Sequence, residues 1–378
     1  MGRWQDMSRE ELEEQYSPSR WSPRLGPDAV VEAHVEAVTA GTQRARASTQ
    51  TLLHVPYGDG NGEKLDIYLP ADRSGAFPVL VYIHGGYWQH LSKDASGFAA
   101  PALVSQGVAV VAVGYNIAPK GHMDEMVAQV RRSLAFLVQQ YSRIRMSPGR
   151  MCCAVPSYTR SWLLLPSGVY LCGHSAGAHL AAMVLSTDWA EYGVTPDIRG
   201  AVLVSGVYDL EPVLHTYVND ALNMSRSERR AGCHCGVSFP REVAQRNSPM
   251  LCVTGAVPAA GACEVLVAVA QHDSPEFRRQ SREYFQALRL AGWTVSLLDL
   301  AGDSEHDFKS LIARWEQTGD ERHPAHGLRS LRGLLLQRRV WSLSLNTSAC
   351  AAWDGRASPT PPSVQPGRGL LAVGKPQL

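Results

Sequence analysis

Apolar residues along this chain gather in short runs separated by stretches of helical character, a pattern that predicts strands alternating with helices. Runs of strand length lie near residues 50 to 55, 64 to 69, 78 to 84, 107 to 114, 168 to 172, 200 to 204, 264 to 270 and 294 to 300. The run from Phe77 to Ile83 is apolar almost throughout and reads as a buried strand. Such alternation predicts an α/β fold with a mostly parallel, doubly wound sheet. Two local signals refine the picture. Ser8 and Glu11 form a capping box that predicts a short polar helix. The loop Gly58-Asp59-Gly60-Asn61-Gly62 resembles part of a dinucleotide fingerprint, but the strand-like run from Lys64 to Leu69 follows where a fingerprint needs a helix. It is therefore read as a hairpin turn.

Candidate chemistry starts where Val169-Tyr170-Leu171-Cys172 leads into Gly173-His174-Ser175-Ala176-Gly177, followed by a helical stretch from Ala178 to Leu185. Strand, sharp turn and helix around G-x-S-x-G predict a nucleophile elbow with Ser175 at its tip. The plain alternative is an ordinary strand-to-helix loop. A serine at its free pKa is a poor nucleophile, so the reading requires a base, a group that orients it and donors for an oxyanion. Gly85 and Gly86 follow the strand ending at Ile83 and let backbone amides approach a substrate; the Ala176 amide would be their partner. A simple Gly-Gly turn is the other reading. Asp273 lies just past the run ending at Ala270, where it could serve as triad acid or as a helix N-cap before Pro275. His306 follows the run ending at Leu300 and is the candidate base, or else a solvated loop histidine. His174 and His179 flank the serine too closely to return over it from another loop, and His323 and His326 lie further downstream. The order Ser175, Asp273, His306 is that of an α/β-hydrolase triad.

These stretches together resemble the kynurenine formamidase, or arylformamidase, family. The likeness is carried by Glu11 to Trp21, Leu53 to Gly58, His84 to Gln89, Ala118 to Gly121, Leu171 to Leu180, Val204 to Leu210, Ala244 to Pro249 and Asp273 to Phe277, and covers residues 8 to 308 with interruptions. The resemblance implies the α/β-hydrolase fold and a serine hydrolase that removes formate from N-formylkynurenine in tryptophan breakdown. It also implies Ser175, Asp273 and His306 as the triad, and Gly85, Gly86 and Ala176 as oxyanion donors. An aryl formamide is then the small-molecule substrate, and a homodimer the expected assembly. Tyr87 and Trp88 could wall an aryl substrate, or Trp88 could pack in the core. A broad carboxylesterase using the same triad, and a hydrolase-fold chain with impaired catalysis, remain open beside this reading.

Three segments depart from the family pattern: Arg143 to Pro166, Ser225 to Arg241, and the Arg-, Ser-, Gly- and Pro-rich stretch from Arg329. Their abrupt shifts in composition mark them as non-family sequence, of the kind alternative splicing or an imperfect gene model introduces. The family tends to read Asp-His-Phe, whereas here Asp307 separates His306 from Phe308. The expected organisation is one hydrolase domain over residues 1 to 320, with insertions near 143 to 166 and 225 to 241, and an irregular or disordered tail over 321 to 378. A chain of 378 residues with 45% hydrophobic content can bury one large core. Its net charge of +1 offers no footprint for nucleic acid. Cys233-His234-Cys235 is too tightly spaced for three ligands of one tetrahedral zinc and no H-E-x-x-H occurs, so no metal or other cofactor is expected. The eight cysteines form no disulfide framework, and Cys172 is expected as a buried thiol. With no signal peptide and no run of membrane-spanning length, the cytosol is the expected location, with the nucleus open as well.

Overall fold

All eight apolar runs form strands of one sheet in the computed structural model, which describes residues 4–23, 25–72, 77–145, 166–224, 242–253 and 263–299. They are β1 (Gln50–Pro56), β2 (Lys64–Leu69), β3 (Phe77–Ile83), β4 (Ala109–Val113), β5 (Pro166–His174), β6 (Ile198–Val204), β7 (Glu264–Val269) and β8 (Thr294–Asp299). Their order across the sheet is β1-β2-β4-β3-β5-β6-β7-β8. β2 runs antiparallel to both β1 and β4, and every pairing from β4 through β8 is parallel. The chain winds outward from β3 to β4, then returns to build β5 on the other side of β3. That reversal falls between β3 and β5, and open α/β sheets bind ligands at the carboxyl ends of the strands at such a switch point.

The parallel strands are apolar at nearly every position because helices cover both faces. Val79, Val81, Ile83, Leu171 and Leu203 point to one face, in one core with Met126, Leu180 and Phe277. Their alternates Leu80, Tyr82, Tyr170, Cys172 and Val202 point to the other, in a second core with Ala45 and Leu103. Burial pushes the Cys172 thiol up to about 12, so it packs as a small neutral side chain. The helices described are α1 (Arg9–Gln15), α2 (Pro27–Ser48), α3 (Ala100–Val104), α4 (Met123–Arg145), α5 (Ala176–Leu185), α6 (Asn219–Leu222), α7 (Val243–Arg246), α8 (Pro249–Cys252) and α9 (Pro275–Leu290). α2 and α3 supply the second core, and α4, α5 and α9 the first.

Local signals set several ends. Ser8 caps α1 with the full reciprocal pair: its hydroxyl accepts from the Glu11 amide at 3.1 Å, and its own amide donates to the Glu11 carboxylate at 2.8 Å. α4 continues to Arg145, because no helix breaker intervenes before Pro148 and Gly149. The loop after β1 is a hairpin connection, with the Tyr57 amide donating to the Glu63 carbonyl at 3.0 Å. Its glycines close around the Glu63 carboxylate, which takes the Gly60 amide at 2.9 Å and pairs with Arg132 of α4 at 2.6 Å. Residues 146–165, 225–241 and 300–378, which hold most of the departing segments, the tail and His306, lie outside the described residues.

Candidate active site

β5 delivers Ser175 to the carboxyl edge of the sheet, and α5 departs immediately after it. Ser175 has φ 55° and ψ −121°, a conformation that L residues avoid, and its amide donates to the Val204 carbonyl of β6 at 2.8 Å. The glycine spacing is enforced by contact. A Cβ on Gly177 would collide with the Ile83 carbonyl oxygen of β3, so only glycine lets α5 start this close to the sheet. Ala176 is the first residue of α5, and its amide is one of those left without a carbonyl partner inside the helix.

The turn after β3 lies against this elbow. A Cβ built on Gly85 would stand 2.6 Å from the His174 carbonyl oxygen and 3.3 Å from the Ser175 Cβ. Gly86, at φ 93°, turns the chain away, and Tyr87 (49°), Trp88 (59°) and Leu91 (65°) also hold positive φ. Side-chain tethers secure this loop. The His84 ring stacks on Tyr115 with centroids 4.3 Å apart, and the Tyr115 hydroxyl donates to the His84 carbonyl at 2.9 Å. Trp88 is wholly buried (0% exposed), and its indole N–H donates to Nδ1 of His179 in α5 at 3.1 Å. His179 in turn donates from Nε2 to the Asn247 carbonyl at 2.7 Å. Trp88 thus packs in the core, with its indole N–H partnered by His179. Tyr87 is partly buried, and its hydroxyl donates to the Tyr16 carbonyl at 2.8 Å.

Asp273 follows β7. It is not the N-cap of α9, a role that falls to Ser274, whose hydroxyl accepts from the Phe277 amide at 3.3 Å. One carboxylate oxygen of Asp273 accepts from the Ser205 hydroxyl at 2.6 Å and from the Ala270 amide at 2.9 Å. Burial raises the Asp273 pKa, and the Ser205 and Ala270 hydrogen bonds pull it back. Ser205 directly follows Val204, the residue that holds the Ser175 amide. Ser175 and Asp273 are thereby fixed through the end of the strand between them. Sequence reasoning missed Ser205, although a serine just past a β6 run ending at Val204 was a readable signal. His306 lies outside the described residues.

The histidines near the elbow are neutral. Burial pushes His84, His174 and His179 each down to about 4, with His34 beside His174 adding to its shift. Among the described residues no histidine hydrogen-bonds to Asp273. One group of metal-type donors, His54, Asp66 and Asp94, is also found among them. Cationic side chains already hold it: Lys93 Nζ lies 2.9 Å from Asp66 and 3.0 Å from Asp94, and Arg46 lies 2.8 and 2.7 Å from the same carboxylates.

An elbow serine pressed against a Gly-Gly turn, with a carboxylate beyond the neighbouring strand, is a geometry suited to acyl transfer. Residues 80–310 match the sequence model of the α/β hydrolase fold. The kynurenine formamidase of Danio rerio is 53% identical over 323 residues, spanning 85% of this chain and 96% of that protein. The chain belongs to the kynurenine formamidase family. A second member, from Salmo salar, is 52% identical over 301 residues, 79% of this chain and 90% of its own length. Among solved structures, an esterase B from Lactobacillus rhamnosis is similar with a TM-score of 0.51 at 18% identity, covering 84% of this chain and 96% of that one. At that identity it shows the fold alone. The α/β-hydrolase match and the elbow coincide, with Ser175 inside residues 80–310.

Proposed function

We propose that this chain hydrolyses N-formylkynurenine to kynurenine and formate, with Ser175 as nucleophile. The observation that carries the reading is the 53% identity to a kynurenine formamidase across 96% of its length. Ser175 on its strained elbow beside Gly85 supports it.

In this reading Ser175 Oγ attacks the formyl carbon while His306 accepts its proton. The amides of Gly85, Gly86 and Ala176 take the developing oxyanion. Asp273, its one oxygen fixed by Ser205 and Ala270, holds the imidazole in the required tautomer and offsets its positive charge. The carbon–nitrogen bond then breaks as His306 returns the proton to the arylamine. Water, deprotonated by the same histidine, attacks the formyl ester, and formate leaves with Ser175 restored. The crowding of Gly85 against His174 and Ser175 suits a formyl group, whose carbonyl carbon bears only hydrogen on its acyl side. Specificity then rests on the arylamine side. Among the described residues no helix is long and apolar enough to cross a membrane, which is compatible with cytosolic action on a soluble metabolite.

The test is formate release from N-formylkynurenine by the full chain beside Ser175→Ala. The expected result is turnover by the parent chain and a loss of about 10⁴-fold or more in the variant. Equal rates for the two proteins would refute the role of Ser175. Faster turnover of phenyl acetate than of the formamide would assign the site to general ester hydrolysis instead.

A further inference from the structure

The loop after β3 carries Tyr87, Trp88 and Leu91 at positive φ, and such conformations persist only where the surroundings over-determine them. Trp88 is held by His179 of α5, and the Gln89 amide side chain donates to the Val218 carbonyl at 2.8 Å. The third tether is of another kind. The Tyr87 hydroxyl donates to the backbone carbonyl of Tyr16, the C-cap of α1, which lies 71 residues away in sequence.

Tyr16 does not stop there. Its side chain is completely buried (0% exposed), and its hydroxyl accepts from Gln280 Nε2 at 2.7 Å and donates to Glu276 at 3.4 Å. Both partners are on α9, whose first residue comes two positions after Asp273. Gln280, itself buried, uses its carbonyl oxygen to accept from the Tyr208 and Asp209 amides at 2.7 and 2.9 Å, just beyond Ser205. The amide of Glu276 donates to the Gln15 side chain at 3.1 Å, and the Tyr16 ring packs on Phe277 at 5.9 Å. One residue of the amino-terminal segment thus joins the Gly85-Gly86 loop to the start of the helix that follows the acid. Burial, followed by the Glu276 charge, drives the Tyr16 pKa well above the ordinary value, so the hydroxyl stays neutral and keeps both bonds.

We infer that Tyr16 is a positioning residue of the hydrolytic site, setting the loop with the oxyanion amides against the turn that carries Asp273. The inference rests on the proposed roles of Gly85, Gly86 and Asp273. It assigns a catalytic consequence to the segment Ser8 to Trp21, which contributes no reacting group. A tether of this kind acts on geometry needed in the transition state, so its loss lowers kcat and leaves KM nearly unchanged.

Tyr87→Phe removes one hydroxyl and keeps the ring. Tyr16→Phe keeps the carbonyl that Tyr87 uses and cuts the arms to Gln280 and Glu276. Formate release from N-formylkynurenine is measured for the full chain, both single variants, the double variant and Ser175→Ala, with kcat and KM separated and a thermal melt for each. The expected result is a fall in kcat of about tenfold for Tyr87→Phe with KM within about twofold. The double variant should fall by less than the product of the single effects, since both changes cut one connection. An unchanged kcat for Tyr87→Phe would overturn the inference. So would a raised KM at constant kcat, which would make the Tyr87 hydroxyl a substrate contact, or independent effects in the double variant. Should Tyr16→Phe fail to fold, the kcat and KM of Tyr87→Phe still decide. A parent chain no faster than Ser175→Ala would sink the hydrolase reading and this inference with it, whereas an active parent with an unaffected Tyr87→Phe sinks only the inference.

Discussion

Asp273 and Ser205 show how much of the site depends on a single hydroxyl. The hydroxyl and the Ala270 amide meet one carboxylate oxygen, and in the proposed triad the other oxygen of Asp273 faces the imidazole. Ser205→Ala removes a hydrogen bond to a charged acceptor, worth about 1.5–3 kcal/mol. The expected result is a fall in kcat of about tenfold or more. Burial already raises the Asp273 pKa and Ser205 opposes that rise, so the variant should also move the acid limb of kcat/KM to higher pH. A pH–rate profile of both proteins checks the two effects together. The neutral histidines make a separate prediction about stability. His179 titrates near 4 in the fold and near 6.5 in an unfolded chain. Between those values the unfolded chain takes up a proton that the native chain refuses, so stability is full above pH 6.5 and is lost as pH falls toward 4. The effect is at most about 3 kcal/mol for this residue. Urea midpoints at pH 7.5 and 4.5 should show the fall, and His179→Gln, which keeps a donor for the Asn247 carbonyl, should show less of it.

The strands and helices that hold these residues were largely legible in the chain, and the reasons are local. Each strand run was apolar enough, and short enough between breakers, to be recognised without a partner, and the Ser8–Glu11 box marked α1 by its own spacing. The elbow was legible because Gly173 and Gly177 bracket Ser175 after a strand run, and the structure supplies the cause in the close approach of α5 to β3. Gly177→Ala should therefore be severe: the new methyl meets backbone oxygens of Ile83 and His84, which cannot rotate aside. The expected outcome is a loss of about 2 kcal/mol or more, read as a lowered melting temperature, together with lost turnover. What could not be read were contacts between elements distant in sequence. Nothing local told whether Trp88 faced a ligand or His179, since a loop has no periodicity that assigns faces. Ser205 to Asp273 spans 68 positions, and Tyr16 to Gln280 spans 264. Both are short-range hydrogen bonds that exist only once β6, β7 and α9 are in place.

Taken as one body, the fold brings the carboxyl ends of β3, β5, β6 and β7 together, and each contributes a different part. β3 ends at the Gly85-Gly86 turn, β5 at Ser175, β6 at Ser205 and β7 near Asp273. The amino-terminal segment adds no strand, yet Tyr16 fastens the first of these parts to the last. A site spread over so many strand ends is active only if the sheet is intact, so folding and nucleophile activation should be lost together on denaturation. The central claim is that Ser175 is an activated nucleophile in this chain, with all of its segments present. The most direct measurement is labelling of the native full chain by a fluorophosphonate, followed by peptide mapping and assay of formate release on the same sample. One label per chain on the peptide containing Ser175, with turnover lost in proportion, is the predicted result. A folded chain that remains unlabelled, or that keeps its turnover after Ser175 is labelled, would contradict the account.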